Sequence, residues 1–367
     1  MKKLVSLLLV AVMVLAVASL AACTEDDTKY LNAECEIALV TDVGNIDDKS
    51  FNEGAWNGVK EYAKENEKTF AYFRPSEDST AARVETIEAA IEKGAKVVVC
   101  PGFLFEEAIY NVQDKHPDVY FLLLDGEPHT ADYSTYKTSE NTYCILYKEE
   151  QAGYLAGYAA VKDGYTKLGF LGGMSVPAVI RYGYGFVQGA EAAAQEMNVD
   201  VEMNYWYSGV FSANDDIKTK MDAWFTAGTE VVFSCGGGIY LSAVAAAEAT
   251  DNGKVIGVDV DQAAESDRII TSAMKGLTVS VKLALATYYE NGNWGTKGGT
   301  TANLGAAEDC VGLPTASGSW RMNNFKVEEY NALFAKIKSG EIAVSNAVEI
   351  APVTEKVTVD YQNKAEG

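Results

Sequence analysis

The sequence predicts an α/β protein with two similar lobes, each a parallel sheet flanked by helices. Short runs rich in valine, isoleucine and alanine, bounded by glycine or proline, alternate with longer helical stretches along most of the chain. Continuous apolar runs are typical of strands buried on both faces, and parallel strands need helical crossovers between them. The alternation fills residues 34–146 and starts again at residue 149, which indicates two open α/β units.

The predicted elements of the two halves follow the same alternation. In the first half, strands are expected at residues 37–41, 69–74, 96–100 and 119–125, and helices at 50–66, 80–93 and 104–114. In the second half, strands are expected at 167–171, 201–207, 230–234 and 254–258, and helices at 149–162, 182–197, 215–227 and 239–250. Open sheets of this type bind ligands beyond the carboxyl ends of their strands, so we expect a site in a cleft between the halves.

The N-terminus has the form of a lipoprotein signal peptide. A short basic segment precedes an apolar stretch, residues 4–20, and small residues precede Cys23. This order predicts removal of residues 1–22 and diacylation of Cys23, which would anchor the mature protein on the extracytoplasmic face of the cell membrane. A plain transmembrane anchor and a secreted protein are the alternatives. Residues 23–33 are mostly polar and are predicted to form a flexible tether.

Net charge and cysteine content exclude several classes of function. The formal net charge of −22 would repel nucleic acid and acidic lipid surfaces. The five cysteines beyond Cys23 form no CxxC pair and have no histidine at ligand spacing, so we expect no metal site and no cofactor. Cys100 and Cys235 end apolar strand-like runs, where a free thiol behaves as a small buried apolar group, and we predict no obligatory disulfide framework.

The densest group of polar residues lies after the first predicted strand, in the segment TDVGNIDDKSFNEGAW at residues 41–56. Gly44 permits a tight turn, and Asp48 or Ser50 can cap the following helix. Asp48 is also a candidate ligand-binding residue. Phe51 would then begin that helix close to the cleft with an exposed ring. The alternative is that the polar residues only cap the helix and that Phe51 belongs to the core.

Carboxylates follow apolar strands at corresponding places in the two halves. Asp125 ends FLLLD, Asp259 ends VIGVD, and Asp42 follows the first strand. Carboxylates accept hydrogen bonds from sugar hydroxyls and from N–H groups at the edge of a base. We therefore expect Asp125 and Asp259, with Asp261 as a second choice, and Asp42 together with Asn52 to bind polar groups of a ligand. The alternative is a set of solvated strand-end residues.

A glycine-rich segment, SCGGGIYLSA from Ser234, joins a predicted strand to a helix in the second half. Its glycines, with Gly237 at the centre, would permit close approach of the backbone to a ligand. The Gly-Lys-Ser/Thr of a nucleoside triphosphate-binding loop does not follow. We therefore expect this loop to approach the ligand without binding phosphate.

Several motifs together resemble the basic membrane protein family of lipoproteins, which includes purine nucleoside receptors of ABC transporters. They are the first loop, KEEQAGYLAGYAA from Lys148, GFLGG from Gly169, RYGYGFVQGA from Arg181, VIGVDVDQ from Val255 and TSAMK ending at Lys275. The resemblance spans nearly the whole mature chain. It implies a two-lobed periplasmic-binding-protein fold of the first type, in which three strands cross a hinge and the lobes close on the ligand.

The resemblance also implies a function and particular site residues. The protein is expected to be a monomeric solute-binding lipoprotein of an ABC importer that delivers a purine nucleoside to a permease. The base would lie between two aromatic rings, here Phe51 and Tyr182, although many relatives have phenylalanine at the second position. Lys275 resembles a lysine that contacts the ribose. With such a ligand, Asp125 and Asp259 would bind the vicinal hydroxyls of the ribose, and Asp42 and Asn52 would recognise the edge of the base. The hinge would separate an N-terminal lobe of residues 34–146 and 276–312 from a C-terminal lobe of residues 147–275 and 313–367.

Three other functions fit less of the sequence. A nucleoside hydrolase is the main alternative among enzymes, because TDVGNIDD loosely resembles the aspartate cluster that holds calcium in those enzymes. Val40 stands where another aspartate is needed, and His116 and His129 are poorly placed for catalysis, so we expect no enzymatic activity. A sugar, furanone or amino acid as ligand would keep the same fold, and an adhesive lipoprotein would bind no ligand.

Overall fold

Two sheets, one in each lobe, organise the protein in a computed structural model that describes residues 27–363. The predicted signal peptide, its cleavage site and Cys23 lie outside these residues. In chain order the strands are β1 (Ile37–Val40), β2 (Phe70–Phe73), β3 (Val97–Pro101), β4 (Tyr120–Leu124), β5 (Thr142–Tyr147), β6 (Lys167–Gly172), β7 (Val201–Tyr207), β8 (Val231–Cys235), β9 (Lys254–Asp259), β10 (Ile269–Lys275), β11 (Thr300–Leu304), β12 (Val311–Gly312) and β13 (Val357–Tyr361). The helices are α1 (Phe51–Glu65), α2 (Thr80–Glu92), α3 (Glu106–Val112), α4 (Glu149–Lys162), α5 (Pro177–Met197), α6 (Asp215–Thr226), α7 (Tyr240–Glu248), α8 (Leu277–Asn291) and α9 (Val327–Lys338).

The N-terminal lobe is a sheet with strand order β11-β5-β4-β3-β1-β2, in which each neighbouring pair is parallel. Helices α1 and α8 pack on one face, and α2 and α3 pack on the other. Along β1, Ile37 and Leu39 face the α1 side, whereas Ala38 and Val40 face the α2 side. The strand is therefore buried on both faces, as its continuous apolar run predicts.

The C-terminal lobe is a sheet with strand order β12-β10-β9-β8-β6-β7-β13. The neighbouring strands are parallel except for the short pair β10 and β12. Helices α4, α5 and α9 cover one face, and α6 and α7 cover the other. The two lobes thus have the α/β architecture that the sequence predicts.

The chain passes between the lobes three times. The passages join β5 to α4, β10 to α8, and β11 to β12. After the last passage the chain remains in the C-terminal lobe, where α9 packs against α4 and β13 pairs with β7. The carboxyl ends of the central strands in both sheets consequently face one cleft.

The segment predicted as a tether begins to fold earlier than expected. Asp27–Tyr30 form a short 3-10 helix that packs on the N-terminal lobe. Trp56 Nε1 donates to Asp27 Oδ2 at 2.7 Å, and the Tyr30 ring stacks on Phe70 with centroids 4.3 Å apart. The prediction of a flexible tether is therefore wrong for this part of the segment, because its aromatic ring and carboxylate both find partners on the lobe.

Helix α5 begins at Pro177, five residues before the predicted start at residue 182. Proline is favourable in the first turn of a helix because its fixed φ suits the helix and its missing N–H is not needed there. Tyr182 consequently lies inside the helix and not at its start.

The five cysteines of the described chain are buried and free, including Cys100 and Cys235. They are Cys35, Cys100, Cys144, Cys235 and Cys310. Burial raises the pKa of each thiol, so the thiols stay protonated and inert at neutral pH.

Candidate ligand-binding cleft

A cavity of about 300 Å³ lies between the two lobes, where the strands of both sheets end. Its walls come from strand-end loops of both sheets, from the end of β10 and from the first turns of α1 and α5. A cavity of this size suits one small organic molecule. It is lined by all but one of the predicted site residues: Asp42, Asp48, Phe51, Asn52, Asp125, Tyr182, Gly237, Asp259 and Lys275.

Asp261 is the predicted residue that does not line the cavity. It is exposed, and its carboxylate accepts hydrogen bonds from Ser319 Oγ and, at 3.1 Å, from the backbone N–H of Ala263. The side chain therefore stabilises the loop after β9. The sequence does not distinguish Asp259 from Asp261, because the direction of each side chain depends on the backbone conformation of the loop.

Asp42, Asp48 and Asn52 form one hydrogen-bonded cluster in the N-terminal lobe. Asn52 Nδ2 donates to Asp42 Oδ1 at 2.8 Å and to Asp48 Oδ2 at 3.0 Å, while Asn52 Oδ1 accepts from the backbone N–H of Asp42 at 3.3 Å. Asp48 Oδ1 also accepts from the backbone N–H groups of Ser50 and Glu53, and so caps α1. The amide of Asn52 is thus engaged within the protein, and we expect it to orient Asp42 instead of contacting a ligand.

Burial changes the acidity of both carboxylates in this cluster. It raises the pKa of Asp42 above its usual value and the pKa of Asp48 to about 7, against the lowering effect of their hydrogen bonds. Asp42 Oδ1 accepts from Gly44 N–H at 2.7 Å as well as from Asn52. Within residues 27–363, Asp42 Oδ2 accepts no hydrogen bond, so this oxygen is the one that can accept from a ligand.

Asp125 and Asp259 occupy equivalent positions just at or beyond the ends of β4 and β9. Both have left-handed backbone conformations, with φ of 59° and 64°. Aspartate tolerates this conformation better than most residues other than glycine. Ser50 Oγ donates to Asp259 Oδ2 at 2.5 Å from across the cleft, and Tyr182 OH donates to Asp259 Oδ1 at 3.4 Å. Asp125 therefore brings a strand-end carboxylate to the cavity from the N-terminal lobe, and Asp259 brings one from the C-terminal lobe.

Lys275 brings a buried positive charge to the same cavity. Its Nζ lies 2.6 Å from Asp125 Oδ2, 4.9 Å from the centre of the Phe51 ring and 5.6 Å from the centre of the Tyr182 ring. Burial alone would lower the pKa of Lys275, but the neighbouring carboxylates, with Asp125 foremost, outweigh burial and raise it. The ammonium therefore stays charged beside aromatic faces that favour a cation.

Phe51 and Tyr182 come from different lobes. Phe51 is half-buried in the first turn of α1, whereas Tyr182 is buried and its ring meets Phe233 edge-on with centroids 5.9 Å apart. The single hydroxyl proton of Tyr182 is shared between Asp259 Oδ1 and Ala273 O, which lies 3.3 Å from the hydroxyl oxygen. One edge of Tyr182 is thus fixed within its own lobe while the ring lines the cavity. That these two rings enclose a base stays a prediction.

Phe211 is the main cavity residue that sequence reasoning missed. It lies on the loop between β7 and α6, and its backbone oxygen accepts from Gly238 N–H at 2.8 Å. A Cβ at Gly236 would lie 2.9 Å from the Phe211 ring, so the glycines that were expected to admit a ligand also admit this ring. The available signal was its place in a strand-end loop. Arg74, which directly follows β2, also lines the cavity and was also missed. Its place after a strand was again the available signal.

Two hydrogen bonds join the lobes near the start of α1. One is the bond from Ser50 to Asp259, and in the other Gln262 Nε2 donates to Lys49 O at 2.7 Å. Gln262 is buried, and its Oε1 accepts from Val258 N–H at 3.1 Å, which fixes the amide. These contacts show that the lobes are closed over the cavity.

Two α/β lobes, joined by three passages of the chain and closed over a shared cavity, define a hinged ligand-binding protein. The family model of PnrA-like ABC transporter substrate-binding proteins, Bmp, matches residues 36–347. The chain belongs to this family. That assignment confirms the resemblance found in the sequence motifs.

Individual relatives agree with the family assignment. The ABC transporter nucleoside-binding protein BmpA of Lactococcus lactis subsp. cremoris is 30% identical over 266 residues, which cover 69% of this chain and 72% of that protein. Basic membrane protein A1 of Borrelia garinii subsp. bavariensis is 29% identical over 316 residues, which cover 84% of this chain and 88% of that protein. The crystal structure of an ABC transporter solute-binding protein from Aeropyrum pernix K1 matches with a TM-score of 0.69 and 24% identity, covering 84% and 92% of the two chains.

Membership of this family defines the general role of the protein. It is a substrate-binding protein of an ABC transporter, which implies a small-molecule ligand, a permease partner and a place outside the cytoplasm. The family is one of substrate-binding proteins and not of enzymes. Within residues 27–363, no helix is both long enough and apolar enough to cross a membrane.

Proposed function

We propose that the protein is a lipid-anchored receptor that binds a purine nucleoside in the cleft and delivers it unchanged to the permease of an ABC importer. The observation that carries the proposal is the combination of aromatic rings from both lobes with the carboxylates of Asp125 and Asp259 around the buried ammonium of Lys275. A relative is named as a nucleoside-binding protein.

The base would bind against the aromatic rings. Phe51 offers a face from the N-terminal lobe, and Tyr182 and Phe211 offer aromatic surface from the C-terminal lobe. Stacking of a base on such rings tolerates different bases, so the choice among them depends on hydrogen bonds at the base edge. Asp42 Oδ2, oriented through Asn52, would accept from a ring N–H or an exocyclic amine.

The ribose hydroxyls would bind to charged groups at the strand ends. Asp125 Oδ1 is buried and has no hydrogen-bond partner among residues 27–363, so a ligand hydroxyl can satisfy it. Asp259 supplies a second carboxylate from the other lobe, and Lys275 can donate to a hydroxyl oxygen. Hydrogen bonds to charged groups in a closed site are the strong ones.

The charges of the cavity favour a neutral ligand. Carboxylates outnumber the basic side chains that line it, and Lys275 is already paired with Asp125. A phosphate group would add negative charge to a cavity in which Lys275 is already paired and the other basic lining residue, Arg74, is exposed to solvent. We therefore propose a nucleoside and not a nucleotide as the ligand.

Closure of the lobes would couple binding to transport. Ligand contacts made by both lobes stabilise the closed form. The size of the effect is the difference between the ligand's binding free energies for the closed and open forms. The bonds from Ser50 to Asp259 and from Gln262 to Lys49 would form on closure. The permease would recognise this closed arrangement.

Diacylation of Cys23 would keep the protein at the membrane surface, where the permease is. The signal-peptide pattern before Cys23 supports the anchor. Labelling of growing cells with a radioactive fatty acid tests it, since the mature protein would carry the label and the Cys23→Ser variant would not. An unlabelled wild-type protein would contradict the anchor.

Thermal unfolding with a panel of solutes tests the proposed ligand. Inosine, guanosine or adenosine is expected to raise the Tm of the purified protein, because a ligand at 100 times its Kd adds about 2.7 kcal/mol to the free energy of unfolding. D-ribose and adenosine monophosphate are expected to raise the Tm much less.

The other outcomes of this panel identify the alternatives. An equal rise with D-ribose would favour a sugar ligand on the same fold. Release of free base from inosine, measured by chromatography of the same samples, would indicate a nucleoside hydrolase. No rise with any nucleoside would contradict the proposal.

A further inference from the structure

Four buried or largely buried charges form a chain that runs back from the cavity. Lys275 Nζ lies 2.6 Å from Asp125 Oδ2 and 2.9 Å from Glu149 Oε1, and Arg181 Nε donates to Glu149 Oε2 at 2.6 Å. The Glu149 side chain is 0% exposed and that of Lys275 is 1% exposed. Asp125 and Lys275 line the cavity, whereas Glu149 and Arg181 lie behind them.

The fold fixes Glu149 beside Lys275. Glu149 is the first residue of α4, directly after the first passage between the lobes, and Lys275 is the last residue of β10, directly before the second passage. Helix α4 also packs against α5 through glycines. A Cβ at Gly185 would lie 1.9 Å from Glu150 O, so the backbones of the two helices touch. This contact fixes the position of Glu149 on α4 relative to Arg181 on α5.

The two carboxylates beside Lys275 differ in their surroundings. Burial alone would raise the pKa of Glu149, but Lys275 and Arg181 outweigh burial and hold it below its usual value. Burial raises the pKa of Asp125 instead, against the opposing effect of Lys275. Glu149 therefore lies between two cations, Lys275 and Arg181, while Asp125 contacts Lys275 through Oδ2 and keeps its Oδ1 without a hydrogen-bond partner among residues 27–363.

We propose that Glu149, held by Arg181, is a positioning residue that shares the Lys275 ammonium with Asp125, so that Asp125 Oδ1 keeps no protein partner and is left for a hydroxyl of the ligand. Without the negative charge of Glu149, Asp125 would be the remaining nearby anion in contact with the ammonium. Lys275 would then turn toward both Asp125 oxygens and compete with the ligand. The identity of the ligand rests on the proposed function, but the geometry of the ion pairs does not.

Calorimetric titration with inosine tests this role. Glu149→Gln is expected to weaken binding by about 10–100-fold, the range for losing a hydrogen bond to a charged group. Adding Glu149→Gln to Lys275→Met is expected to change the affinity little further, because Glu149 acts through Lys275. Glu149→Asp keeps the charge but shortens the side chain, and it is expected to fold and to bind inosine with intermediate affinity.

Glu150→Gln is the matched control. Glu150 is the neighbouring residue, its carboxylate is also buried, and none of the hydrogen bonds or ion pairs of the described chain joins its side chain to Lys275. Its inosine affinity is expected to equal that of the wild-type protein. Equal weakening by Glu149→Gln and Glu150→Gln, or no weakening by Glu149→Gln, would overturn the proposal.

A ligand-free measurement separates this proposal from the proposed function. The buried Lys275 ammonium is expected to give a distinct ¹H–¹⁵N resonance, assigned by its loss in Lys275→Met. The resonance should shift in Glu149→Gln and Glu149→Asp but not in Glu150→Gln. If the wild-type protein binds no inosine, the proposed ligand fails, and this resonance alone decides: a shift supports the positioning of Lys275 by Glu149, and an unmoved resonance overturns it.

Discussion

Replacing Phe51 with alanine is expected to weaken purine nucleoside binding by about 10–100-fold with little loss of folded protein. Stacking of a base on an aromatic side chain contributes about 1–3 kcal/mol by alanine substitution. Phe51 is half-buried at the start of α1, and its ring lies beside the cavity and the Lys275 ammonium. Isothermal titration calorimetry with inosine measures the change.

An exposed aromatic residue provides the control for Phe51. Tyr133 is 61% exposed and does not line the cavity, so Tyr133→Ala is expected to leave the Kd for inosine unchanged. The far-ultraviolet circular dichroism of both variants should match that of the wild-type protein. An unchanged Kd in folded Phe51→Ala would remove the stacked base from the account.

Asp259→Asn is expected to have an effect of similar or larger size. The substitution keeps the shape of the side chain, and asparagine tolerates the left-handed φ of 64° at this position. It removes the negative charge that would accept from a ribose hydroxyl and that accepts from Ser50 across the cleft. Loss of a hydrogen bond to a charged group costs about 1.5–3 kcal/mol, which corresponds to about 10–100-fold in Kd.

Asp261→Asn is the matched control for Asp259→Asn. It is the same substitution two residues away, at an exposed aspartate that does not line the cavity. Its Kd for inosine is expected to equal that of the wild-type protein. If both variants bind inosine as tightly as the wild-type protein does, Asp259 does not hold the ribose. If Asp261→Asn alone binds more weakly, the sequence prediction for Asp261 was right and its assignment to the loop is wrong.

The alternation of apolar and helical stretches was enough to predict both lobes and most of their elements. Strand-end positions also predicted Asp125 and Asp259, because a parallel sheet brings the ends of its strands to one edge. The contacts of each side chain could not be predicted in the same way. The spacing of Asn52 does not show that its amide is engaged by Asp42 and Asp48, because this depends on side-chain rotamers.

The missed features depend on contacts between distant parts of the chain. Phe211 lies in a loop without periodicity, and its position depends on the glycines after β8. The ion pair between Glu149 and Lys275 joins two passages between the lobes that are far apart in the sequence. Asp261 follows the strand that Asp259 ends, but the loop directs the Asp261 side chain to Ser319.

A crystal structure of the protein with inosine bound tests the central claim most directly. The account predicts that the base lies in the cleft against Phe51 and an aromatic ring of the other lobe. It also predicts ribose hydroxyls about 2.7 Å from carboxylate oxygens of Asp125 and Asp259. Inosine bound outside the cleft, or bound within it with no hydroxyl in contact with either aspartate, would contradict the account.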